Sequence, residues 1–456
     1  MDVIVVGAGY AGLSAALDLT DQGLDVIVLE ADDRVGGRVW SRTETAGDAP
    51  VVVDHGGQWV GPTQTALLDL AGRFGCETFR SFDDGTHVEL WPEGRQVRFT
   101  SSEGPNGPGA AAYYAALEEL DELAARVDLA DPTACADAAT WDSQTFADWI
   151  ERRTDDEAVR ERLRVAIRGV WACEPRDVSL FHVLFYVRSA GGFAQLMETH
   201  DHAQDSRFLR GAQAPALAAA AALGHRIRLD HPVRAIEWDA DGVRLHGDEQ
   251  SWTARRVIVT GTPTAQARIR FSPALPQARR RWLARSPMGD VAKVHLLYRT
   301  PFWRAAGLSG QIVDYGDSVL SYTFDNSPAD ASERDDAPGV IAAFVYGDAY
   351  RSWSAQGRAA RQKDLVEVLV EVLGPEAAEP VGYVETQWPD HPWAEGAYAA
   401  VPTPGTWVEH HAGRRAAVGP IRWAGTEAAG VWNGYIDGAI RSGRAEARAI
   451  AEELAR

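Results

Sequence analysis

The sequence predicts an α/β fold of two or three domains, the first built on a parallel βαβ unit, with helices and strands mixed along the remainder. Three observations carry this. A chain of 456 residues exceeds what one hydrophobic core ordinarily organises. Residues 1–30 read as strand, turn, helix and strand. Beyond them, stretches of helical and of strand-like periodicity alternate to the end of the sequence.

In chain order, Val3-Ile4-Val5-Val6 is a short continuous apolar run, as expected of a strand buried on both faces. Gly7, Gly9 and Gly12 follow in a Gly-x-Gly-x-x-Gly turn, and Leu13 to Thr20 has helical spacing of apolar positions. Gly23 ends that helix, and Val26 to Leu29 makes a second strand closing at Glu30. Residues 101–112 read as a loop and 113–127 as an amphipathic helix. Trp141 to Ser189 is mostly helical, interrupted at Pro175. An alanine-rich helix, Ala214 to Leu223, leads into strand-like segments at 226–238 and 256–260. Val291 to Tyr298 alternates like a strand, 327–338 is a polar loop and 361–373 a helix. The chain turns at Gly425, Gly430 and Gly434 and then runs as a helix from Tyr435 to Leu454. No internal repeat is apparent.

Composition narrows the functional classes. A net charge of −20 argues against nucleic acid as a partner, because phosphate backbones attract basic surfaces. It is compatible with cationic substrates, although keeping a large protein soluble is the simpler reason for it. No apolar run is long enough to span a bilayer, and a strand beginning at Asp2 leaves no room for a leader. Cys76, Cys135 and Cys173 are widely spaced and form no CxxC pair, which fits a reducing cytoplasm and no zinc or disulfide framework. His200-Asp201-His202, near Glu198 and Asp205, lacks further ligands, so a polar loop is expected there and no metal.

The N-terminal glycines carry the first chemical signal. The first permits the tight turn, the second lets backbone approach a pyrophosphate, and the third lets helix and strand pack closely. A phosphate would sit at the helix N-terminus, where free N–H groups and the dipole favour an anion. Glu30, at the end of the second strand, is placed to accept both ribose hydroxyls. Arg34-Val35-Gly36-Gly37-Arg38 then adds a second glycine pair flanked by arginines. Lys293 stands out for another reason. The chain writes 45 basic residues, and Lys293 and Lys363 are its only lysines. A lysine inside an apolar strand is costly unless paired or deprotonated, and an amine can lose its proton where a guanidinium cannot. The alternative is a strand-edge lysine reaching solvent.

With Leu29-Glu30-Ala31 running into Arg34-Val35-Gly36-Gly37-Arg38, the sequence resembles the flavin monoamine oxidases within the FAD-dependent amine oxidase superfamily. Asp54-His55-Gly56-Gly57-Gln58-Trp59-Val60-Gly61 extends the resemblance, as do Lys293 ahead of Pro301-Phe302-Trp303-Arg304 and Trp423-Ala424-Gly425-Thr426-Glu427 through Trp432-Asn433-Gly434-Tyr435. It covers nearly the whole chain. It implies a two-domain α+β arrangement: a Rossmann-like FAD-binding domain assembled from residues 1–80, 207–285 and 385–456, with a mixed-sheet and helical substrate-binding domain of 81–206 and 286–384. FAD contacts implied are Gly7, Gly9, Gly12, Glu30, Arg34, Gly37, Arg38, Gly57, Gln58, Trp59, Val233, Trp393, Gly425, Thr426, Glu427 and Ile436. A helix N-terminus near Ile436 would stabilise negative charge on a reduced flavin.

The same resemblance implies oxidation of an amine C–N bond to an imine, which hydrolyses to an aldehyde or ketone, with dioxygen reduced to hydrogen peroxide. Lys293 would stand beside flavin N5 through a water, and Tyr398 and Tyr435 would form an aromatic cage for the amine nitrogen. Val170, Met197, Tyr322, Phe324, Phe344 and Trp388 would line the substrate pocket. The covalently flavinylated relatives carry a cysteine where this chain has Ala397, so FAD is expected without a covalent bond. The tail that anchors mitochondrial relatives to membranes is not found after the last helix. Dimers are usual in this family. The nearest alternatives are an L-amino-acid oxidase, whose carboxylate-clamping arginine is replaced here by Gln58 and Trp59 unless Arg168 or Arg188 serves, and a polyamine oxidase. A flavin-dependent desaturase and a non-catalytic FAD-binding protein are more remote.

Overall fold

A computed structural model describes residues 1–455. Its first sheet has five strands in the order Ile227–Arg228, Val26–Leu29, Val3–Val6, Arg256–Val259 and Ile421–Trp423. Every pairing in it is parallel. Three separated stretches of chain therefore supply one doubly covered sheet, as the expected fold class requires. Successive side chains go to opposite faces. Val3, Val5, Val26 and Val28 pack with the Tyr10–Asp21 and Ile436–Leu454 helices, whereas Ile4, Leu29, Val257 and Val259 pack with a small four-stranded sheet. Burial on both faces is why these strands read as continuous apolar runs.

The second sheet has seven strands in the order Gly382–Gln387, Val291–Tyr298, Gly339–Tyr346, Tyr322–Asp325, Leu308–Asp314, Thr86–Trp91 and Arg95–Thr100. Val291–Tyr298 lies inside it, antiparallel to both neighbours, with Lys293 opposite Phe344 and Thr386. All eight of its residues are buried. The alternation read in the sequence is thus an alternation between two buried faces. Ala292, Val294 and Leu296 meet Trp353, Leu365 and Leu369 of a helical layer, while Leu297 on the other face meets Val51 and Val53 of the Ser41–Ala46/Ala49–Asp54 hairpin. Lys293 is not at a sheet edge. The expected boundary at residue 385 falls inside the Gly382–Gln387 strand, whose pairing with Val291–Tyr298 keeps it in this sheet.

Helices Ala110–Ala124, Phe146–Arg153, Glu157–Trp171 and Leu180–Ala190 form an apolar body beside that sheet. The first starts and ends about a turn earlier than its periodicity suggests, and the helix expected over 361–373 extends back to Arg358. No helix among the described residues is long and apolar enough to cross a membrane.

One buried ion pair fastens the sheet to this body. Arg162 Nη1 and Nη2 each donate to Glu89 at 2.8 Å, and neither side chain is exposed at all. The rings of Trp91 and Tyr315 stand 5.0 and 4.9 Å from the guanidinium. Removing one partner strands the other charge in a low dielectric, which costs about 3–5 kcal/mol. Arg162→Met is therefore expected to lower unfolding stability by that amount in urea titrations. A midpoint equal to that of the parent would show that the pair adds no stability.

Candidate active site

A long cavity runs between the two sheets, with a helix N-terminus at each end. At one end the Tyr10–Asp21 helix starts from Gly9, and Gly7 holds φ +100° where a side chain would strike the Thr260 hydroxyl. Gly12 stands behind the lining, and a β-carbon there would collide with the Gly7 carbonyl. Here the third glycine serves close helix–strand packing. Glu30 lines the cavity, its carboxylate fixed by the Ala8 and Asp32 amides, the latter at 2.9 Å. Burial raises its pKa. The second glycine turn meets the first, since Gly36 N–H donates to Ala8 O at 2.9 Å.

At the far end, the Ile436–Leu454 helix begins after Tyr435. Its turn is closed by Thr426 Oγ1 donating to Tyr435 O at 2.8 Å and by Asn433 Nδ2 donating to Thr426 O at 2.9 Å. Gly37, Gly57, Val233, Trp393, Gly425, Thr426 and Ile436 all line the cavity. Thr260, Gly261 and Thr262, which no sequence motif marked, line it as well.

Lys293 reaches the cavity from the middle of its strand, 3% exposed. Its Nζ donates to Gly56 O at 2.9 Å and to Gln58 Oε1. Burial lowers its pKa to about 7, with buried Asp54 opposing and Arg207 assisting the shift. Both partners are acceptors. A neutral amine satisfies them with its two N–H bonds and keeps its lone pair for a water or ligand. Gln58, expected to touch the cofactor, instead sits behind Lys293 and donates to Asn326 Oδ1 at 2.9 Å. Trp59 likewise faces away from the lining, its ring 5.6 Å from Nζ and 5.0 Å from Phe324.

Tyr398 and Tyr435 line the same cavity, and burial raises the pKa of both phenols, so they stay protonated. The Tyr398 and Tyr346 hydroxyls bond at 2.7 Å, a contact that sequence reasoning missed because Tyr346 lies in an apolar run. Met197, Tyr322, Phe324 and Phe344 gather with Tyr398 and Trp59 in one aromatic cluster beside the cavity. Trp388 joins that cluster and also lines the cavity, held by its indole N–H on His55 O at 3.0 Å. Val170 belongs to the helical body instead, since its helix turns it into that core.

The arginines have protein partners of their own. Arg38 lines the cavity, but its guanidinium is taken by Glu427, at 2.5 and 3.1 Å, and by Tyr398 O at 2.8 Å. Glu427 therefore acts on Arg38 and does not line the cavity. Arg34 points at the Gly37 and Val39 carbonyls, at 2.9 and 3.3 Å. Arg38 thus borders the cavity while paired with Glu427, and Arg34 is tied to two backbone carbonyls of the second glycine turn. His200 and His202 turn to different acids, Asp83 and Glu198.

The model of the family described as flavin containing amine oxidoreductase matches residues 10–451. Putrescine oxidase of Kocuria rosea is 35% identical, over 98% of this chain and 95% of its own. An L-amino acid dehydrogenase of Synechocystis is 36% identical, over 98% and 94%. The solved structure of cyclohexylamine oxidase from Brevibacterium oxydans superposes with a TM-score of 0.94 at 36% identity, covering 100% of this chain and 99% of that one. A cavity with two helix N-termini, a buried lysine and paired tyrosines thus sits in a chain that, along nearly its whole length, belongs to the flavin-containing amine oxidoreductases.

Proposed function

We propose that the chain is an FAD-dependent oxidase of a neutral amine with an apolar body, holding its cofactor without a covalent bond and passing electrons to dioxygen. The observation that carries this reading is that Lys293, Tyr398 and Tyr435 line the cavity whose other end carries the Gly7–Gly12 turn. That turn and Glu30 suit the pyrophosphate and ribose of FAD, and the helix start at Ile436 suits the electron-rich ring. When bound, the flavin supplies a two-electron acceptor that dioxygen can reoxidise. The protein orients the reactants. Tyr398 and Tyr435 offer electron-rich faces to the amine nitrogen, and Lys293 holds or releases a proton at Nζ.

The substrate class follows from charge. Arg168 is held by Glu161 and Glu174, at 3.1 and 3.0 Å, Arg188 is exposed, and neither lines the cavity where it could clamp an amino-acid carboxylate. The carboxylates lining the cavity among the described residues are Glu30 and Asp32, both at the glycine-turn end. A second ammonium, as on a diamine, has no acid to meet beside the tyrosines. An apolar amine fits best, with Met197, Tyr322, Phe324, Phe344 and Trp388 as its wall. The reading keeps the division into 1–80, 207–285 and 385–456 against 81–206 and 286–384, with the last junction shifted past Gln387. A cytoplasmic, homodimeric enzyme completes it, the free cysteines Cys76, Cys135 and Cys173 being in keeping with a reducing compartment.

Three measurements test this. Acid precipitation is expected to release free yellow FAD, because Ala397 offers no thiolate; colour remaining with the pelleted protein would refute it. In steady state, the acidic limb of kcat/KM is expected to move with the pKa of the amine across a substrate series, since only the unprotonated amine reacts. A limb fixed for amines of different basicity would assign it to an enzyme group. Lys293→Met keeps the length of the side chain and removes the amine, so the fold and bound FAD should persist. Reoxidation by dioxygen is expected to slow by roughly 10-fold to 1000-fold. Its dependence on a group titrating near 7 should vanish. Parental rates of both reduction and reoxidation would make Lys293 structural only.

A further inference from the structure

The face of the Val291–Tyr298 strand that carries Lys293 carries a second ionisable group for which the chemistry above has no use. His295 follows two residues later, so it shares that face at about 7 Å along the strand. It is fully buried, and neither ring nitrogen has a hydrogen-bond partner among the described residues. A buried imidazole satisfies such nitrogens through ordered water. Buried donors nearby share its condition. Arg207 Nε is also without a partner, although its other nitrogens donate to Asn326 O and Ser327 O at 2.9 and 3.0 Å.

The His55 ring lies 6.1 Å from that of His295. His55 meets Thr386 Oγ1 through Nδ1 at 2.7 Å and Glu44 Oε1 through Nε2 at 3.3 Å. The Glu44 side chain is 24% exposed. Lys293, His295, His55 and Glu44 therefore form a cluster of ionisable groups between the cavity wall, where Lys293 stands, and the partly exposed Glu44. His295 faces Lys293 on its own strand, His55 from beyond the Ala49–Asp54 strand and Arg207 from Ser206–Phe208. Its register partners on the flanking strands, Val384 and Ala342, carry no charge. His55 in turn faces Glu44 and the cations Arg42, Arg34 and Lys293. Burial and these cations keep both imidazoles neutral, so a proton arriving on either is passed on and not stored.

We propose that His295 is a relay residue which, with water on its two nitrogens, carries protons between Lys293 Nζ and the His55–Glu44 pair. The proposal rests on the reading of Lys293 as the proton-handling group at the flavin. Amine oxidation needs such a path. Two electrons and two protons leave the amine, one proton with the electron pair from carbon and one from nitrogen as the imine forms. Dioxygen takes up two electrons and two protons to become hydrogen peroxide. The two halves are separate events, so a proton is discharged in one and recovered in the other. The cluster behind Lys293 lets that happen without opening the substrate side to water.

The test mixes amine-reduced holoenzyme rapidly with dioxygen in weakly buffered solution containing a pH-indicator dye. Flavin absorbance reports electron transfer, and the dye reports proton uptake from bulk. In the parent enzyme the two are expected to coincide. In His295→Leu, Lys293 still gives its proton at once but refills slowly, so the dye signal lags by about tenfold or more. His295→Gln, which can bind water but not carry a proton, should lag equally. Coincident signals in both variants would overturn the relay. If Lys293→Met leaves the parental timing unchanged while the His295 variants lag, the reading of Lys293 fails, and with it this relay's inner end. Should the leucine variant lose its flavin, nitrogen-15 NMR of the histidines in the parent enzyme decides. A His295 ring proton exchanging with water within milliseconds supports the path, and exchange slower than seconds overturns it.

Discussion

Two helices from opposite ends of the chain, Tyr10–Asp21 and Ile436–Leu454, lie so close that a side chain at Gly443 would strike the Ala11 carbonyl. With their N-termini turned to one cavity, two positive dipole ends share a small volume, an arrangement that favours an anionic ligand lying along it. Arg38 and Arg34 do not add to this field freely, because Glu427 takes one and backbone carbonyls the other. Oriented peptide groups, whose geometry is built in before anything binds, are thus on hand at the cavity for a ligand's negative charge. Binding to the folded chain and not to the unfolded one then stabilises the fold by mass action, so cofactor content and stability are linked.

Lys293 belongs to the same scheme. Every residue of its strand is buried, so the amine cannot reach solvent along a sheet edge. It is held by two acceptors and faced by one buried carboxylate and one buried guanidinium, and burial wins, leaving the proton loosely held near neutrality. Arginine in this place would keep its charge permanently. This is the physical content of the contrast between one buried lysine and a chain that otherwise writes its basic positions as arginine.

What could be read in the sequence was what local geometry forces. The Gly7–Gly12 turn, the strand ending at Glu30 and the helix from Ile436 follow from steric rules acting over a few residues. Lys293 showed itself as an anomaly of composition. The seven-stranded sheet was largely hidden, because a strand such as Gly339–Tyr346, buried on both faces, has no period-two signal to separate it from a core helix. Thr260 to Thr262 looked like any strand-ending turn. Gln58 was read for the arginine it replaces, and its hold on Lys293 depends on a strand more than two hundred residues away. The pairing of Arg38 was hidden for a related reason: its partner Glu427 is remote in the chain.

The apolar cluster beside the tyrosines also constrains the amine energetically. An acidic exterior of net charge −20 gathers ammonium ions, yet the reaction consumes the neutral form. For an amine as basic as a lysine side chain, deprotonation at neutral pH costs about 5 kcal/mol. No carboxylate among the cavity residues lies at that end to keep the charge in place, so the expense must be met by what the body of the amine buries. At about 25 cal/mol per Å², roughly 200 Å² of apolar surface offsets it. A methyl or ethyl chain cannot supply that area, whereas a six-membered ring or an aromatic side arm can. On the proposed function, the cluster of Tyr322, Phe324, Phe344 and Met197 that would exclude the substrate's charge would therefore also set its minimum size.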